Sequence, residues 1–174
     1  MTLDEIKKQI LTLIEEYDAK NQTNFTSDPD INNKINHSID NIQVELAQIK
    51  RIKTKVEFDT TKTNVMVKPD DLFKIDKVKE CDFEVLGNEI VFDKDYKGIV
   101  NVYYDKYPRK IDEDTDGEEK LEISRDALEA LVYGVASAIL KADISSNYSV
   151  YEYKYQELKQ QLNNANTNGF AWIE

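Results

Sequence analysis

Only one cysteine, Cys81, and one histidine, His37, occur among the 174 residues, and these two scarcities remove most of the familiar routes to chemistry. A lone cysteine forms no disulfide within the chain and fits a reducing compartment, where its default place is an inert side chain in the β region. A serine or cysteine nucleophile usually leans on a histidine base. His37 lies off the apolar stripe of its helix and reads as solvated. The five glycines are scattered, so neither a phosphate-cradling loop nor a dinucleotide fingerprint is present. No apolar run is long enough to span a bilayer, and charges at Asp4, Glu5, Lys7 and Lys8 interrupt the place where a signal peptide would carry its apolar core. The sequons at Asn24, Asn36 and Asn147 therefore carry no weight. Cations are also in the minority, 23 Lys and Arg against 34 Asp and Glu, with no visible basic stripe of interleaved aromatics. A protein that grips phosphate backbones needs such a stripe. No enzyme and no cofactor are expected.

What is present is a well-patterned globular chain. Hydrophobic residues make up 40% and charged residues 33%, with ten Tyr and six Phe, a composition able to bury a core. Leu3, Ile6, Ile10, Leu13, Ile14 and Tyr17 predict a first amphipathic helix over 3–18. Ser27 or Asp28 as cap, with Pro29 in the first turn, starts a second. Its stripe is Ile31, Ile35, Ile39, Ile42, Leu46, Ile49 and Ile52. From Thr54 the period changes to two, and Val56 and Phe58, Val65 and Val67, Phe73 and Ile75 read as half-buried strands. The segment Asp82 to Asp93 predicts a hairpin turning at Gly87 and Asn88, with Val85 opposite Ile90 and Phe83 opposite Phe92. A further strand covers Ile99 to Tyr104.

The third helix, capped by Ser124 and running to about Ala142, has the most unusual composition. Leu128, Leu131, Val132, Val135 and Ile139 form an apolar face, while Ala127, Ala130, Gly134 and Ser137 form a separate face of small side chains. A helix with two such faces needs neighbours on two sides, and the small face is expected to meet another copy of the chain. The fourth helix carries a heptad seam of Tyr148, Tyr151, Tyr155, Leu158 and Leu162. The last twelve residues are expected to be too polar to prolong it. Fold class is thus α+β, a four-helix bundle interrupted by a small antiparallel β insert. Its parts are a helical hairpin (1–53), the β insert (54–109), an acidic loop (110–123), a second helical pair (124–165) and an extended tail (166–174).

Charge is concentrated in one place. Residues 112–122 hold seven carboxylates and one lysine, leaving the remainder of the −11 net charge thinly spread. Asp112, Asp114, Asp116 and Gly117 match the first half of an EF-hand loop, in which alternating carboxylates converge on calcium. Ile123 stands where the bidentate Glu belongs and Glu119 where an apolar residue belongs, so a solvated acidic loop is the expected state, with the three aspartates as weak metal candidates. In the tail, Phe170, Trp172 and Ile173 either fold back on the chain's own core or present an aromatic anchor to a partner.

The order of these elements resembles the head-to-tail adaptor, or head-completion, proteins of tailed bacteriophages. The likeness rests on Tyr104-Asp-Lys-Tyr107-Pro108, then Asp114-Thr-Asp116, then Leu121-Glu-Ile-Ser124 running into DALEALVYGVASAIL, and on Lys68-Pro69-Asp70-Asp71-Leu72-Phe73-Lys74-Ile75 before them. The resemblance implies a structural virion protein made in the host cytoplasm. Copies form a dodecameric ring beneath the portal, join head to tail and help retain packaged DNA, which passes without sequence-specific binding. Portal, sister copies and tail or further neck proteins are the implied partners, with Phe170, Trp172 and Ile173 toward the portal. The alternative is a monomeric cytosolic protein-binding domain, with a calcium-responsive form of it as one variant.

Overall fold

The structure, a computed structural model, describes residues 1–18, 29–141 and 147–168. The chain divides into two units, Met1–Lys50 with Pro108–Glu174, and Arg51–Tyr107. The first is helical. α1 (Leu3–Asp18) buries Leu3, Ile6, Ile10 and Ile14 completely, which is the face their spacing dictates. Its N-terminus carries a capping box: Thr2 N donates to Glu5 Oε2 (2.9 Å) and Glu5 N donates to Thr2 Oγ1 (3.3 Å). α2 (Pro29–Ile49) buries Ile35, Ile39, Ile42 and Leu46. Its expected caps, Ser27 and Asp28, lie outside the described residues. Ile52 does not prolong the α2 stripe, because it opens the first strand.

α3 (Arg125–Leu140) is the hub of this unit and packs against α1, α2 and α4 (Ser149–Asn168). Ala127, Ala130, Leu131, Val135 and Ala136 have no exposed surface at all, and each fully buried Leu or Val of this kind stabilises by roughly 1.5–3 kcal/mol. Ser124 occupies the N-cap position with extended backbone, yet its hydroxyl makes no capping bond, contrary to expectation. α4 reaches Asn168 despite its Asn-rich end, since extending a formed helix needs only one more bond per residue, whereas starting one is costly. Tyr155, Leu158 and Leu162 form its buried seam.

Arg51–Tyr107 holds six antiparallel strands: β1 (Ile52–Asp59), β2 (Val65–Val67), β3 (Leu72–Lys79), β4 (Phe83–Leu86), β5 (Glu89–Phe92) and β6 (Ile99–Lys106). They form two three-stranded sheets, ordered β1-β6-β3 and β2-β5-β4. Met66, Ile90, Phe92, Val100 and Val102 make one buried core drawn from both sheets, with Val56, Phe58, Ile75 and Val78 packed against it. The β4–β5 hairpin pairs Val85 with Ile90 and Phe83 with Phe92, the register its alternation predicts. Gly87 takes φ 58° at the turn, a left-handed conformation that glycine adopts without steric cost.

The expected four-helix bundle with a small insert is therefore corrected. The fold is α+β, but the β region is a two-sheet unit with a core of its own, and the helices are organised around α3. The reason lies in β6. β6 pairs through its backbone with β1 along one edge and with β3 along the other, while Val100, Val102 and Tyr104 supply its buried face, so one central strand organises a whole sheet.

Candidate functional site

Among the described residues, the passage from Arg109 to Lys120 is a loop of the helical unit tethered on both flanks. On one flank, α2 holds it through side chains: Asn36 Nδ2 donates to Asp112 O (3.0 Å), Gln43 Nε2 to Arg109 O (2.7 Å), and Ile111 N donates to Asp40 Oδ1 (2.9 Å). On the other, Leu3 N donates to Glu119 O (2.8 Å) and Asp4 N to Gly117 O (2.9 Å), so the loop satisfies amides that the start of α1 leaves free. A Cβ added at Gly117 would meet the Asp4 carboxylate, an exposed side chain that would have to swing aside. Within the loop, Asp112 Oδ1 accepts from Asp114 N and Thr115 Oγ1, and Asp116 Oδ1 accepts from Glu118 N.

Asp112 and Asp116 thus hold the backbone turn. Among the described residues no group of three His, Cys, Asp or Glu side chains is arranged to hold a metal ion, so Asp112, Asp114 and Asp116 are not brought together as ligands. Asp112, Glu113, Asp114, Asp116 and Glu118 are exposed. The result is a preformed acidic turn.

The small face of α3 is not an open surface. Ala127, Ala130, Gly134 and Ser137 are all buried within the chain. A Cβ on Gly134 would stand 3.0 Å from the Tyr155 ring and 3.1 Å from Ile42 Cδ1, and Ser137 Oγ bonds Glu152 Oε2 at 2.9 Å. The expectation that these residues meet a sister copy is corrected: small side chains let α4 and α2 approach closely, and α4 supplies the second neighbour. Phe170, Trp172 and Ile173 lie outside the described residues.

Tyr155 anchors that contact. Its hydroxyl donates to Glu45 Oε2 (2.7 Å), and Lys159 Nζ bonds Glu45 Oε1. Burial pushes the Tyr155 hydroxyl far above its ordinary pKa, and the Glu45 carboxylate adds to this. Burial pushes Glu45 up as well, but the hydrogen bonds from Lys159 and Tyr155 outweigh it and hold the carboxyl below its ordinary value. A depressed carboxyl stabilises the fold above its unfolded pKa and loses that contribution as pH falls through the folded one. The stability gap between wild type and Glu45→Gln is expected to be widest near neutral pH and to close on acidification through the carboxylate range, as thermal unfolding at a series of pH values will read. A gap independent of pH would contradict it.

Neither scarce residue is prepared for catalysis. His37 is exposed and bonded to Asn41 (3.0 Å), and burial pushes the Cys81 thiol up, the opposite of what an activated nucleophile needs.

The β unit carries two surfaces that sequence reasoning passed over. The outer face of β1-β6-β3 presents Lys53 and Lys55 from β1, and Lys74, Lys77 and Lys79 from β3, around Tyr103 of β6. Lys77 and Lys79 lie 5.1 and 5.2 Å from the centre of the Tyr103 ring, and Lys53, Thr54, Lys55 and Tyr103 line a shallow depression beside it. A basic stripe with an aromatic centre therefore does exist. The period-two lysines at 53 and 55 and at 77 and 79 were its signal, masked by the carboxylates between and around them. The second surface is β4, an edge strand exposed along its whole length, with Phe83, Val85 and Leu86 at 37%, 45% and 56% exposure. Neither a protein-family model nor a curated protein matches the sequence.

Proposed function

We propose that this chain is a structural component of a tailed-phage neck, a non-enzymatic adaptor whose copies close into a ring beneath the portal. What carries the reading is the passage from Tyr104 to Leu140. There β6 ends at Lys106, Pro108 follows, the acidic turn is fixed by α1 and α2, and α3 then enters as the hub of the helical unit. That order is the one on which the resemblance rests. A rigid turn of exposed carboxylates suits a wall past which DNA slides without sticking, since like charges repel. With the small face of α3 enclosed, the contacts between copies fall to other surfaces, and a closed ring requires two different patches that complement each other.

In this reading Phe170, Trp172 and Ile173 dock on the portal. Deleting residues 166–174 is expected to abolish docking and leave the fold unchanged, because Tyr155, Leu158 and Leu162, the buried seam of α4 among the described residues, all remain. Co-sedimentation with the portal protein of the same genome and circular dichroism of the shortened chain will check both halves. The ring itself is tested by electron microscopy and native mass measurement of the full chain with and without that portal. Closed rings are expected with it. A chain that stays monomeric beside the portal would overturn the proposal and leave the monomeric binding domain.

A further inference from the structure

We propose that the lysine-bearing outer face of the β1-β6-β3 sheet docks the acidic turn, Asp112–Glu118, of a second copy of the chain. The inference rests on the ring reading for its biological setting and supplies the pair of unlike patches that reading requires.

Charge is divided between the two units in a way that favours this occupant. Arg51–Tyr107 holds eleven Lys and Arg against twelve carboxylates, a net charge of −1, which leaves −10 for the helical unit. Within the nearly neutral unit five of the eleven cations share one sheet face, which also carries Glu57, Asp76 and Asp105. Lys53, Lys55, Lys74, Lys77 and Lys79 are all exposed there. Lys53 is paired with Asp76 (3.4 Å) and Lys55 with Glu57 (3.0 Å), both exposed pairs of the weak kind that a better partner displaces. Lys74, Lys77 and Lys79 make no ion pair among the described residues, and Lys77 and Lys79 are held over the Tyr103 ring instead.

The acidic turn is the matching part. Glu113, Asp114 and Glu118 are exposed and make neither a side-chain hydrogen bond nor an ion pair among the described residues. Their backbone is already ordered by Asp112, Asp116, α1 and α2, so docking costs little further ordering of that backbone. The ammonium groups of that face and the ordered turn of spaced carboxylates are complementary in sign. Since the two patches differ, the contact is heterologous, the kind from which a ring is built when the rotation between copies closes. A nucleic acid strand is the other polyanion such a face suits, and the test separates the two.

Equal amounts of full-length chain, one at natural isotope abundance and one labelled with nitrogen-15, are mixed at low salt and treated with a zero-length carbodiimide that joins amines to carboxylates. Mass spectrometry then finds the links that bridge light and heavy copies. Links from Lys53, Lys55, Lys74, Lys77 or Lys79 to Asp112–Glu118 are expected, fading as salt is raised. The variant Lys55→Glu/Lys77→Glu/Lys79→Glu should lower the remaining mixed links at Lys53 and Lys74 by about tenfold, the sum of a few exposed charge pairs. Mixing it with Glu113→Lys/Asp114→Lys/Glu118→Lys should restore association, because the reversed patches attract again. Circular dichroism confirms that both variants fold.

Mixed links that are absent, or that join other surfaces, overturn the inference. So does tight binding of a fluorescent oligothymidine that the lysine variant loses while no turn-to-face links form. Rings seen beside the portal without these links would leave the ring reading standing and remove this contact. Links without any closed ring would keep the contact and remove the ring.

Discussion

Leu131→Ala is expected to destabilise the helical unit by about 2–5 kcal/mol, toward the upper end of that range. Leu131 has no exposed surface, and it sits on the one helix that α1, α2 and α4 all pack against. Truncating a side chain there removes its transfer free energy and opens a cavity, and the second cost depends on how far the walls can close. α3 is held by three helices, which limits how far the surroundings of a truncated side chain on it can collapse. Urea unfolding followed by helical circular dichroism measures the loss, with Val150→Ala as a control on a residue 62% exposed, where a change within about 0.5 kcal/mol is expected. A loss below about 1 kcal/mol at Leu131 would show that the hub collapses readily and that the packing is looser than this structure.

Gly134→Ala sets two effects of opposite sign against each other. In an exposed helix, alanine in place of glycine stabilises by about 1 kcal/mol. At position 134 the new methyl meets two ring atoms of Tyr155 at 3.0 Å and Ile42 Cδ1 at 3.1 Å, and overpacking of that kind costs about 1–3 kcal/mol. The ring has no easy retreat, because its hydroxyl is bonded to Glu45. Net destabilisation of about 1–2 kcal/mol is expected. A double-mutant cycle isolates the cause: in a Tyr155→Ala background the same change at 134 should become neutral or stabilising. If Gly134→Ala stabilises the wild type, α3 and α4 do not approach as closely as described.

Much of the fold was legible where periodicity was unambiguous. The stripe of Ile35, Ile39, Ile42 and Leu46 fixes the buried side of α2, and the alternation around Gly87 fixes the β4–β5 register, because a slip of one residue would turn Ile90 and Phe92 out to solvent. What local patterns do not carry is partnership. The face of Ala127, Ala130, Gly134 and Ser137 correctly signals close approach, but small side chains look the same whether the approaching helix comes from the same chain or another. Only Tyr155 beside Gly134 decides it. The grouping of the six strands into two sheets was not legible for a related reason, since β6 pairs with β1 and with β3 across long stretches of sequence. As for the surfaces, the acidic turn was visible as a run of like charges. The lysine face was not, because its members come from two strands brought together by a third.

Pairing of Ile52 with Lys106 sets the first and last residues of the strand region side by side. Chain enters and leaves through adjoining antiparallel ribbons, so the whole segment behaves as a cassette: a short linker between Lys50 and Pro108 would rejoin the cut ends of the remainder, and a foreign segment with similarly neighbouring ends would fit in its place. Exchange of such a module between genomes alters what it contacts while leaving the α3-centred scaffold to fold as before.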